Sequence, residues 1–228
     1  MVYGDLHLHS LYSNRTFPFW VLNSPDQILK KAVEVGLKVV ALTDHDSLRG
    51  SFEARKIAKN YDLIAISACE VTTQEGHLLA FGLHKEIPKN LSASQAIKMI
   101  HQQGGLACPS HPFRKRLPLF PPIGLNEKVF DLPIDGLEVC NASMSEKING
   151  RASKALKEKR WAEIGGSDAH VLEFVGYGRT IFPDGIKTEE DVLRSIRRKL
   201  TKPYLFSPVP EVAKYATLLR DQLKYFFL

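Results

Sequence analysis

Short, nearly continuous apolar runs alternate with amphipathic stretches along most of this chain, and that alternation limits the folds open to it. The runs cover residues 37–43, 63–69, 77–83, 106–110, 136–140, 162–165 and 177–182, after an opening strand at residues 2–8. Runs of this length with turn residues at their ends are the mark of strands buried on both faces. The stretches between them carry helix punctuation. Ser24-Pro25 reads as N-cap and first helical position, Ile28, Leu29, Ala32 and Val33 recur at helical spacing, and Gly36 stops the helix. A second helix is expected over residues 51–61, and a basic one over 145–159. Ser92 caps a helix bearing Ala93, Ala96, Ile97 and Ile100 that halts at Gly104-Gly105. Thr188 with Asp191 opens a helix holding Val192, Leu193, Ile196 and Leu200. Strand and helix in alternation with short links predict an α/β fold, a parallel sheet covered by helices. About seven such units in one domain favour a barrel over an open sheet.

Length and composition set few further bounds. At 228 residues, 44% hydrophobic and 25% charged, the chain is one large globular domain or one domain with a small appendage. No apolar run reaches the ~18 residues needed to span a bilayer and the start shows no signal-peptide pattern, so a cytoplasmic protein with no membrane partner is expected. Cys69, Cys108 and Cys140 form neither a disulfide framework nor a Cys-x-x-Cys knot and read as small buried residues. A net charge of +6 suits an anionic substrate. The cluster Arg194, Arg197, Arg198, Lys199 and Lys202 reads first as a solvated helix face, with a nucleic-acid backbone as the alternative. Phe17, Phe19 and Trp20, in a loop, either pack or stack on a base.

The potential metal ligands fall at the carboxyl ends of the expected strands. His7 and His9 share one face of the opening strand, about 7 Å apart at the backbone, close enough to meet on one ion. His45, Glu70, His111 and the pair Asp168/His170 each stand at or just past a strand end, while His77 opens its own strand. In a barrel those ends share one rim, where active sites are built. Mixed nitrogen and oxygen donors without thiolate suit zinc, manganese or iron. There are too many ligands for one ion, so two or three divalent metals are expected, with Glu70 as the natural bridge. Such sites lower the pKa of a bound water and clamp ester oxygens, the chemistry of phosphate-ester hydrolysis.

Five ordered motifs carry a resemblance: Asp5-Leu6-His7-Leu8-His9-Ser10, Leu42-Thr43-Asp44-His45-Asp46, Glu70-Val71, Ser110-His111-Pro112 and Gly166-Ser167-Asp168-Ala169-His170. Over about residues 1–182 the chain resembles the PHP family of polymerase-associated and histidinol-phosphatase-type metal-dependent phosphoesterases. The resemblance implies a distorted seven-stranded β/α barrel with a trinuclear site over residues 1–200. His7, His9, Glu70 and Asp168 would hold the first metal, Glu70, His77 and His111 the second, and His45 and His170 the third with a residue near position 14. The family commonly has Asp or His there; this chain has Asn14, a weaker ligand. Asp5, Asp44 and Asp46 are expected to orient histidines from behind. Residues 201–228 form a C-terminal helical extension with Val212, Ala216, Leu219, Leu223 and Phe226 on one stripe, packing on the barrel or on a partner.

The expected enzyme is a metal-dependent phosphoric ester hydrolase of nucleotide-phosphatase or 5′-to-3′ exonuclease type. A metal-activated hydroxide attacks phosphorus, and Glu70 and Asp168 act with the metals. Arg114, three residues after His111, is the expected phosphate clamp, with Arg179 a weaker candidate. The substrate is a phosphorylated small molecule or short oligonucleotide, and the oligomeric state stays open. The alternatives are an amidohydrolase-type C–N hydrolase, which also opens on His-x-His, and a non-catalytic nucleic-acid-binding barrel.

Overall fold

The computed structural model describes residues 1–13, 21–115 and 123–209. The loop aromatics Phe17, Phe19 and Trp20, Asn14, and the apolar stripe from Val212 to Phe226 lie outside these residues. Within them the elements run β1 (Val2–Leu8), α1 (Pro25–Glu34), β2 (Val39–Leu42), α2 (Arg49–Ile57), β3 (Ile64–Ile66), β4 (Ala68–Thr72), β5 (His77–Phe81) and α3 (Ala93–Gln102). They continue with β6 (Leu106–Pro109), β7 (Gly136–Asn141), α4 (Glu146–Ala155), β8 (Ala162–Gly166), β9 (Gly178–Phe182), α5 (Glu189–Arg197) and β10 (Lys202–Leu205).

The helices begin where the sequence places their caps. Ser24, Ser92 and Thr188 each form a full capping box, with Gln27, Gln95 and Asp191 as the third residue. The strands formed by the apolar runs are buried on both faces, whereas β10 is largely exposed. Leu6, Val39, Ala41, Ile66, Ala68, Leu79, Phe81, Cys108, Ile164 and Phe182 share one inner cluster, closed from below by Val192 and Ile196 of α5. Val40 and Leu42 face the other way, onto Ile28, Leu29 and Ala32 of α1. Ala80 and Leu137 pack outward against Ile97 and Ile100 of α3 and Ala152 and Ala155 of α4.

The fold is mixed α/β with parallel pairing, but the described ladders close no seven-stranded barrel. Among the described residues ten strands fall into three sheets, ordered β10-β9-β1-β2-β3, β4-β5-β6 and β7-β8. β1–β2, β2–β3 and β7–β8 are parallel, whereas β4–β5, β5–β6, β1–β9 and β9–β10 are antiparallel. The link from β4 to β5 is a tight turn, Thr73 N–H to Gly76 O at 3.0 Å, too short for a parallel crossover. The single run 63–69 is in fact two strands. At Ser67 both the amide and the hydroxyl donate to the Glu189 carboxylate (2.7 and 3.0 Å), and the chain passes into the next sheet. Glu70 therefore lies inside β4 rather than at a strand end. Lys202–Leu205, within the expected helical extension, is the edge strand of the first sheet.

Isolated bonds stitch the sheets where the ligands lie. His45 bridges Glu70, and Leu8 bridges Ala169. Asp168 N–H donates to His7 O (2.8 Å) and His9 N–H to Ala169 O (3.0 Å), so the end of β8 is tied along the end of β1.

Candidate metal centre

β1 supplies the first two ligands. Leu6 belongs to the inner cluster and Leu8 to the outer one, because the register of β1 shifts between Asp5 and Leu8; His7 and His9 flank Leu8 with ring centroids 5.2 Å apart. The loop after β2 brings His45, β4 brings Glu70, the first residue of β5 is His77, and His111 follows β6. Asp168 and His170 follow β8. His111 (φ +30°) and Asp168 (φ +55°) both sit in the left-handed region, backbone strain of the kind that collects at functional sites.

Glu70 is the centre of the group. Its Oε2 stands 3.4 Å from His7 Nε2, 3.5 Å from His9 Nε2 and 3.2 Å from His45 Nδ1. Its Oε1 is 3.2 Å from both His77 Nδ1 and His111 Nε2. Asp168 Oδ1 lies 3.6 Å from His7 Nε2 and 3.4 Å from His9 Nε2. Two donors each about 2.1 Å from one ion are about 3.0 Å apart at a right angle and about 3.4 Å apart at a tetrahedral one. The spacing is that of ligands sharing ions. Burial agrees: His7 Nε2, His9 Nε2, Glu70 Oε2 and His111 Nδ1 are buried with no hydrogen-bond partner among the described residues. Buried polar atoms left this way are costly unless something else satisfies them, and a divalent cation held by His7, His9 and Asp168 would satisfy the first two.

The donors form four sets close enough to hold an ion: His7/His9/Asp168, His7/Glu70/His111, His45/Glu70/His77 and His9/His45/His170. The resemblance puts His77 and His111 on one ion; both stand 3.2 Å from Glu70 Oε1, and each also falls in a separate set with Glu70 and a further histidine. His9 joins His45 and His170 where a residue near position 14 was expected, and Asn14 itself lies outside the described residues.

A polar layer behind the ligands aims them. Ser13 Oγ meets His9 Nδ1 (3.0 Å) and accepts from His45 N–H (3.0 Å), and Ser110 Oγ donates to Glu70 Oε1 at 2.7 Å. Glu138, in β7, reaches His7 Nδ1 at 2.8 Å. Glu138 is not among the candidate residues expected from sequence; its one signal is a carboxylate inside a strand whose neighbours, Leu137 and Val139, are apolar. Asp5 and Asp44 were expected to orient imidazoles and instead hold backbone. Asp5 accepts from Ser167 and Gly176 amides (3.0 and 2.8 Å), and Asp44 accepts from the Ser10 amide and hydroxyl (2.6 and 2.7 Å). Burial pushes both carboxyls up to about 6.

The two candidate phosphate clamps separate. Arg179 is buried, donates Nε–H to Gly176 O (2.6 Å) and lies over the Tyr3 and Phe206 rings, so it is spent on the fold. Arg114 is half-buried, and its amide donates to His111 O at 2.9 Å. In the basic cluster, Arg194 and Arg197 pair with Asp191 and Glu190 on α5, an ordinary helix face. Cys69, Cys108 and Cys140 are buried free thiols. Among the described residues no helix is long and apolar enough to cross a membrane.

Charge in the metal-free protein is shared unevenly. Burial alone would lower His7, but the carboxylates of Glu138, Asp168 and Glu70 carry it well above 6.5. Burial alone would raise Glu70, but His45, His7 and His77 hold it well below 4.5. Burial lowers His45 to about 4, His77 and His170 adding to the effect against Glu70. The folded value of His45 lies below its unfolded one, so the unfolded chain takes the proton first and stability falls as pH drops from 6.5 towards 4. Denaturant titrations of the metal-free protein at pH 7 and pH 4.5 should show a larger loss for the wild type than for His45→Asn. Equal losses would contradict that assignment.

Comparison with known proteins identifies the family. Residues 5–120 match the family model of the PHP domain, and residues 147–201 match that of a PHP-associated segment. Over 163 residues the chain is 38% identical to an uncharacterized protein of Methanocaldococcus jannaschii, covering 68% of this chain and 92% of that one. Over 103 residues it is 31% identical to a 5′-3′ exoribonuclease of Haemophilus influenzae, covering 43% of this chain and 35% of the relative. A two-domain protein of Bacteroides vulgatus, described as containing a predicted PHP-like metal-dependent phosphoesterase, superposes with a TM-score of 0.72 at 20% identity. That match covers 90% of this chain and 64% of the other, so the chain spans just under two thirds of that relative. The chain belongs to the PHP domain family.

Proposed function

We propose that the protein is a metal-dependent phosphoric ester hydrolase acting on nucleotides or short oligonucleotides, as a phosphatase or a 5′-to-3′ exonuclease. The observation that carries the reading is the Glu70 carboxylate set among five imidazoles at ion-sharing distances. Similarity to an exoribonuclease and the net charge of +6 support the choice of a phosphorylated nucleic-acid substrate. The strand ends converge on this site as the rim of a distorted PHP-type barrel would, and in this reading residues 1–200 make up that unit, with β10 added at the edge of its first sheet.

In this reading His7, His9, Asp168 and Glu70 hold one ion, Glu70 with His77 and His111 a second, and His45 with His170 and Asn14 a third, the ions being zinc, manganese or iron. Bound there, such ions supply Lewis acidity toward a phosphate oxygen and make water acidic enough to act as nucleophile near neutral pH. Glu70 and Asp168 would balance the charge of the bound cations. Ser13 and Ser110 keep His9 and Glu70 aimed inward through bonds at 3.0 and 2.7 Å. Arg114 is assigned to hold the non-reacting oxygens of the phosphate in a bidentate pair.

The test is turnover after chelation and refilling with manganese or zinc. The substrates are a 3′,5′-bisphosphonucleotide and a 5′-phosphorylated short RNA, with Asp168→Ala as control. The refilled wild type should release phosphate or mononucleotide, and the variant should be slower by about 10²-fold or more, about 2.7 kcal/mol in the barrier. No turnover of either substrate by protein with metal bound would overturn the substrate class and favour a C–N hydrolase.

A further inference from the structure

We infer that Glu138 is a positioning residue that fixes the metal-facing nitrogen of His7 and anchors ligands from two further strands. The inference rests on the metal-centre reading above. Glu138 is the third residue of β7 and is 1% exposed. It belongs to none of the four donor sets. Its oxygens are engaged elsewhere: Oε1 meets His7 Nδ1 at 2.8 Å, and Oε2 accepts from the His111 amide at 2.6 Å and from Asn141 Nδ2 at 3.0 Å. Asn141 Nδ2 also reaches Asp168 Oδ2, at 3.5 Å. One carboxylate thus touches His7 on β1, His111 two residues past β6, and through Asn141 Asp168 two residues past β8.

Every partner of Glu138 is a donor, and that decides what it does. A carboxylate facing His7 Nδ1 requires a proton on that nitrogen, so the neutral ring, the form that binds a metal, carries its lone pair on Nε2. Nε2 is the buried atom without a hydrogen-bond partner that points at Glu70 and Asp168. The bond to the His111 amide holds a backbone at φ +30°, a conformation a histidine rarely keeps unaided. Carboxylates behind metal-bound histidines act in this way, and losing one typically costs 10- to 100-fold in metal affinity, roughly.

Glutamine has almost the same shape but only one acceptor oxygen. If its NH₂ faces His7, Nδ1 must accept, the ring proton moves to Nε2, and the metal-facing nitrogen is blocked. If its NH₂ faces the other way, it meets the His111 amide and Asn141 NH₂, two donors. Either way the ligand set is disturbed while volume is kept.

The experiment uses the full chain loaded with zinc. Long-range ¹⁵N–¹H spectra should place the His7 ring proton on Nδ1 in the wild type. Zinc affinity, measured by competition with a chromogenic chelator, should fall by about tenfold or more in Glu138→Gln. Glu138→Asp, which keeps the charge, should recover part of that loss. A burial role without positioning would lower the melting temperature of Glu138→Gln and leave zinc affinity and the His7 tautomer unchanged; that result overturns the inference. So does a wild-type His7 protonated on Nε2, which needs no variant to fold. A wild type that binds no zinc would overturn both this inference and the metal-centre reading. Zinc binding that Glu138→Gln leaves intact would overturn the inference alone.

Discussion

Glu70→Gln should reduce phosphate-ester hydrolysis by about 10³-fold or more, about 4 kcal/mol at 1.36 kcal/mol per tenfold. The variant keeps the side-chain volume and leaves one neutral oxygen where five imidazoles now face two charged ones. An amide oxygen binds a divalent ion more weakly than a carboxylate oxygen, and its NH₂ cannot bind one at all. Two of the four donor sets contain Glu70, as two contain His7, His9 or His45, but only Glu70 brings two charged oxygens to its sets. Histidine variants should do less, because each imidazole brings a single donor atom. Rates measured at saturating manganese check this, and a variant within tenfold of the wild type would contradict the central role given to Glu70.

Gly178→Ala should destabilise the fold by about 3 kcal/mol, the upper end of the range for overpacking, and lower the melting midpoint by roughly 6–12 °C. A Cβ on Gly178 would lie 1.9 Å from Gly166 O and 2.5 Å from Gly166 C, both backbone atoms with no freedom to swing away. Gly166 is pinned from the other side, since its own added Cβ would meet His7 Cβ at 2.4 Å. The strain therefore passes along the end of β8 to Asp168, and metal binding should weaken along with stability. Gly150→Ala is the matching control. It lies in α4 with nothing near the added Cβ, and should gain about 0.5–1 kcal/mol from helix propensity. A melting scan of the two variants beside the wild type tests both signs.

What the sequence made legible was local. Ser24, Ser92 and Thr188 announce their helices because a capping box is written within four residues. The ligands His7, His9, His45, Glu70, His77, His111, Asp168 and His170 converge here, and they stand out in sequence because metal-binding side chains interrupt or end apolar runs. What stayed hidden depends on distant partners. The break at Ser67 is made by Glu189, 122 residues further on. The antiparallel course of β9 and β10 follows from pairing with β1 and with each other, which no single run displays. Arg179 reads as a free guanidinium until Tyr3 and Phe206 are seen around it. Glu138 reads as one charge in a strand until His7 and His111 arrive from other sheets.

The most direct test of a multinuclear phosphoesterase centre is a count of metal. Wild type and Glu70→Gln, stripped with chelator, refilled with manganese or zinc and freed of excess ion, would be analysed for bound metal per chain. Two or three ions per wild-type chain and at least one fewer in the variant is the expected result. No tightly held ion in the wild type, or a count that Glu70→Gln leaves unchanged, would contradict the account.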